Sequence, residues 1–124
     1  MNNPQPGWFT TRPVAEVAAA ILPLFSYPAS QKEDSAIACI TSWCKTGEYK
    51  KAFGSRSKSR FEDPETRAVA EAIRALERAG LIMRDVSGGD VTHVDVGMTR
   101  LGRDAIATNS VRRHLGLRDA PPTA

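Results

Sequence analysis

Few short runs commit a backbone as firmly as Asp63-Pro64-Glu65, which places an N-cap acid, a proline at the first helical position and a further acid in the first turn. In the helix this predicts, Val69, Ile73 and Leu76 fall within about 60° of one another, and Arg67, Arg74 and Arg78 fall on the opposite side within about 40°. One face is therefore apolar and the other charged. Gly80 supplies the stop, and two β-rich runs follow, 81–86 and 91–98, joined by Ser87-Gly88-Gly89-Asp90. The second run alternates, with Thr92, Val94, Val96 and Met98 on one face and His93 and Asp95 on the other. Thr99 then caps a helix through Leu101, Ala105 and Ile106, in which Gly102 permits close approach to the neighbouring strand. The C-terminal half thus reads as helix, β-hairpin, helix.

The N-terminal half is more helical. Residues 1–10 read as a flexible arm, with Trp8 and Phe9 anchoring its end to the core. Thr11 is the expected N-cap of a first helix, with Pro13 in its first turn and Val14, Val17, Ala18, Ile21 and Leu22 at helical spacing. Pro23 and Pro28 end it. Ser30-Gln31-Lys32-Glu33 has the form of a capping box, which predicts that a second helix starts there. Ile37, Ile40 and Trp43 provide its apolar stripe and Gly47 its stop. Tyr49 and Phe53 have the spacing of a short helix, and 54–60 reads as a basic loop. Residues 110–124 read as a C-terminal extension and disordered tail, although Val111 and Leu115 keep helical spacing.

A chain of 124 residues with 41% hydrophobic and 25% charged residues has the size and composition of one globular domain. No apolar run approaches the roughly 20 residues of a membrane-spanning helix, and Met1–Gly7 lacks the basic start and apolar stretch of a signal peptide, so a cytoplasmic protein without membrane contact is expected. Cys39 and Cys44 lie about 140° apart around the second helix, which makes them poor disulfide partners. With only His93 and His114 to add, and neither spaced near them, the expected role is reduced thiol in or near the core rather than a metal site. Charge is concentrated: between Lys45 and Phe61 six basic residues face one acid, Glu48, a local +5 within a chain total of +3. Such a patch suits a polyanion, and equally suits a solvated loop.

The run Ala75-Leu-Glu-Arg-Ala-Gly-Leu-Ile82, the hairpin with its Gly-rich tip and Met98-Thr-Arg-Leu-Gly-Arg-Asp-Ala-Ile106 resemble the C-terminal half of winged helix-turn-helix regulators of the MarR-like and PadR-like kind. The resemblance implies an α+β, mostly α, winged helix over 11–109: three helices, a two-stranded wing and a closing helix. It makes 64–79 the recognition helix, 81–98 the wing, and Thr99 the start of the helix packed behind it.

The function expected from this is DNA binding and transcriptional regulation by a homodimer, since paired readers match paired half-sites. The contacting residues would be Lys50, Lys51, Arg56, Lys58, Arg60, Arg67, Arg74, Arg78 and Arg84, with the basic loop on phosphates and the helix face on bases. The dimer contact would come either from the first helix with the arm or from Val111, Leu115 and Leu117. Glu71 interrupts the arginine face, Glu62, Asp63 and Glu65 crowd the helix start, and the wing carries Asp85, Asp90 and Asp95 against Arg84 and His93. Those acids favour the alternative, a protein-interaction module without sequence-specific DNA binding, with Trp8, Phe9 or Tyr49 as anchors. Catalysis is not expected: neither histidine has a nucleophile or an orienting group nearby in sequence, and Gly88-Gly89 is a turn rather than a phosphate cradle, so no cofactor is implied.

Overall fold

The computed structural model describes residues 7–50, 62–86 and 94–118. Among them the order is α1 (Trp8–Thr11), α2 (Val14–Ile21) running into a 3-10 turn (Leu22–Leu24), β1 (Ser30–Lys32), α3 (Glu33–Thr46), α4 (Pro64–Arg78), β2 (Ile82–Val86), β3 (Val94–Met98), α5 (Arg100–Ala107) and α6 (Val111–His114). The result is an α+β fold, mostly helical, with one small antiparallel sheet in the order β1-β3-β2.

The third strand corrects the two-stranded expectation. Ser30-Gln31-Lys32 does not form a capping box; it pairs with β3, with Ser30 opposite Gly97, Gln31 opposite Val96 and Lys32 opposite Asp95. A lone two-stranded hairpin is marginal in water, and β1 supplies the pairing that β3 would otherwise lack on that side. Glu33, freed from capping, turns inward at the start of α3 and is 4% exposed. The first helix also differs. The Thr11 hydroxyl donates back to the Trp8 carbonyl at 3.2 Å and so closes α1, while α2 starts after Pro13, whose carbonyl accepts from Glu16 and Val17.

The end of α4 follows local chemistry. Gly80 adopts φ 79°, its N–H donates to the Glu77 carbonyl and the Leu81 N–H donates to the Leu76 carbonyl, both at 3.0 Å. This is a Schellman closure, and Leu76 and Leu81 beside it are both fully buried. The core gathers Ile21 of α2 and Leu22 of the 3-10 turn, Ile37 and Ile40 of α3, Val69, Ile73 and Leu76 of α4, and Ile82 and Val96 of the sheet. Phe9 joins it, and Trp8 packs at its edge with the indole N–H donating to the Cys44 carbonyl at 3.2 Å. At the other end Val111 and Leu115 pack on the same core, and Arg112 grips Glu16 of α2 through two bonds of 2.7 and 3.2 Å. That bonding holds the Glu16 carboxyl below the usual range.

Candidate nucleic-acid interface

Helix α4 sits between α2 and α3 on its apolar side and leads directly into β2. Its outer side presents Arg67, Glu71, Arg74 and Arg78 in one exposed row, as the 3.6-residue period predicts. Arg67 meets Glu71, and Arg74 meets Glu77, each at 3.4 Å and each about half exposed on the arginine side. Exposed pairs of this spacing contribute only about 0.3–0.5 kcal/mol, so a ligand can displace them at little cost.

Charge is graded along the helix. Glu62, Asp63 and Glu65 stand at the N-terminal end, where Lys45 of α3 reaches Glu65 at 3.1 Å. The C-terminal end carries Arg74 and Arg78 with Glu77 between them in sequence. Thr99, just before α5, donates its hydroxyl to the Gly80 carbonyl at 2.6 Å and its N–H to the Leu81 carbonyl at 3.1 Å, which seats the start of α5 against the turn that ends α4. Arg103, one turn on, lies 4.7 Å from the centre of the Tyr27 ring and pairs with Asp104 at 3.1 Å. Arg100 and Arg103 both lie in the first turn of α5.

Asp63 accepts from the Glu65 N–H at 3.2 Å and from the Thr66 hydroxyl at 2.7 Å. The Thr66 bond above all, with the backbone donors and the Lys45 charge, holds its carboxyl below the ordinary range. The folded-state value is depressed, so the cap's contribution is present above the unfolded-state value and is lost as pH falls through the folded one. Asp63→Ala is therefore expected to cost about 1 kcal/mol at neutral pH. The gap between the two proteins in urea unfolding should narrow on acidification; an unchanged gap would contradict the ionised cap.

The structure places Arg84 against Glu33. Its Nε donates to Glu33 Oε2 at 2.8 Å, beneath the sheet, and this bond holds the guanidinium firmly protonated. Lys50 pairs with Glu48 at 2.8 Å on the surface. Lys51, Arg56, Lys58 and Arg60 lie outside the described residues, as do Asp90, His93 and the Gly88-Gly89 turn. On the outer sheet face Asp85 stands directly opposite Asp95, which faces Lys32 on its other side, so two carboxylates oppose one ammonium.

Among the described residues no group of three or more His, Cys, Asp or Glu is placed to hold a metal ion. Both cysteines are free thiols, and burial pushes the Cys44 thiol up to about 12. No described helix is long and apolar enough to cross a membrane. No protein-family model matches the chain, and neither does any curated protein or any solved structure.

Proposed function

We propose that the protein is a winged-helix DNA-binding protein, a transcriptional regulator that works in the cytoplasm as a homodimer and uses α4 as its reader. The observation that carries this is the exposed arginine row on the helix immediately before the hairpin. The element order supports it too, since α2, α3 and α4 lead into the β2–β3 pair and α5 follows it. The charge gradient points the C-terminal half of α4 toward the duplex, with Arg74 and Arg78 facing the base edges and the acids at Glu62, Asp63 and Glu65 farther from it. The facing carboxylates of Asp85 and Asp95 make the hairpin a poor phosphate grip. They also favour the second reading, a module that offers this hairpin to a basic protein partner.

The test is binding to random-sequence duplex DNA across a salt series. Affinity should fall steeply with salt, and the slope should flatten by about one for each phosphate contact removed. Arg74→Ala with Arg78→Ala tests the helix, and Arg56→Ala with Lys58→Ala and Arg60→Ala tests the basic run that precedes it in sequence. Absence of binding at low salt would overturn the proposal.

A further inference from the structure

We infer that α4 selects G·C-rich duplex, an inference that rests on the DNA-binding reading above. The exposed row offers the major groove a restricted chemistry: guanidinium forks at Arg67, Arg74 and Arg78, and between them one carboxylate, Glu71. A guanidinium donates two parallel bonds, which matches the paired acceptors O6 and N7 of guanine. A carboxylate only accepts. The cytosine amino group satisfies it, whereas adenine sets an acceptor, N7, beside its amino group and repels it.

Adenine is normally read by a side-chain amide that both donates and accepts, and α4 contains neither Asn nor Gln. Thr66, its one hydroxyl, is already committed to Asp63 at 2.7 Å. Thymine is recognised by apolar contact with its methyl group, and the alanines flanking the row, Ala68, Ala70 and Ala75, are half-buried with their methyl groups packed against the core. The arginine–carboxylate bonds within the row are 3.4 Å long and exposed, so bases can replace them. Arginine and glutamate one turn apart thus suit guanine and cytosine on neighbouring pairs.

The experiment uses the full chain and fluorescence anisotropy with three duplexes of equal length at one salt concentration. One contains only G·C pairs, one only A·T pairs in mixed order, and the third is the G·C duplex with 7-deazaguanine, which lacks the N7 acceptor. The G·C duplex is expected to bind about tenfold tighter than the A·T duplex, and the deaza substitution to remove most of that advantage. Arg74→Lys with Arg78→Lys keeps both charges and discards the forks, so it should retain the salt slope and lose the preference. Equal affinity for the first two duplexes would overturn the inference and leave DNA binding standing, as would a preference that survives in the lysine variant. No binding to any duplex would overturn both.

Discussion

Gly102→Ala is expected to destabilise the protein by about 3 kcal/mol, at the upper end of what overpacking normally costs, and to lower Tm by about 10 °C. The sign is opposite to the usual one, because alanine inside a helix is normally favoured over glycine by about 1 kcal/mol. Here a Cβ would run into the Leu81 carbonyl oxygen and lie 2.8 Å from Met98 Cγ. The methionine can move. The carbonyl cannot readily do so, because it accepts from the Thr99 N–H at 3.1 Å, the bond that seats α5 against the end of α4. The Gly102 N–H is itself held by the Thr99 hydroxyl at 3.0 Å, so sliding the first turn of α5 outward would break the cap as well. Urea unfolding with Gly97→Ala beside it makes the comparison: that Cβ would lie 3.1 Å from the Ala29 carbonyl oxygen, tight but not colliding, so a smaller loss is expected. A Gly102→Ala protein as stable as the native chain would mean that α5 is not seated as described.

The second large effect concerns the ion pair beneath the sheet. Arg84→Ala is expected to cost about 3 kcal/mol, the usual range for removing one partner of a buried pair, because the Glu33 carboxylate remains where only 5% of its side chain meets solvent. Glu33→Ala should cost less, since the Arg84 side chain is 26% exposed and its guanidinium can turn to water. Replacing both, Glu33→Leu with Arg84→Met, is expected to recover most of the loss, because well-packed apolar groups often equal or exceed a buried pair in stability. A double-mutant cycle in urea decides it: additive losses would mean the pair is not coupled. Since the pair joins β2 to the first turn of α3, the single variants should also loosen the hairpin. If α4 alone reads DNA, they should leave binding by the folded fraction largely intact.

These two sites differ in how far ahead they could be seen. Gly102 follows a threonine that can cap and precedes an apolar helix face, and the threonine's cap, the helix and the close approach to the chain next to it all come from residues within about 20 positions. The Asp63 cap, the body of α4 and the Gly80 stop are likewise settled by neighbours in sequence, which is why the arginine row on α4 could be placed from periodicity alone. In such places the competing conformations differ locally, by a hydrogen bond to a nearby amide or by a φ that glycine tolerates.

Ser30-Gln31-Lys32-Glu33 shows the opposite case. Its serine and glutamate can satisfy backbone donors in a capping box, and its first three residues can equally extend into a strand. The choice fell to β3, more than sixty residues away, which offered a full set of pairing groups, and to Arg84, which offered a cation for Glu33 from 51 residues away. The same holds for Arg112 with Glu16, 96 residues apart. Charge type and helical face are properties of the chain within a turn or two. Which arginine is bound to a carboxylate across the fold, as Arg84 and Arg112 are, and which stays exposed on α4 depends on pairings whose partners come together only in the folded chain.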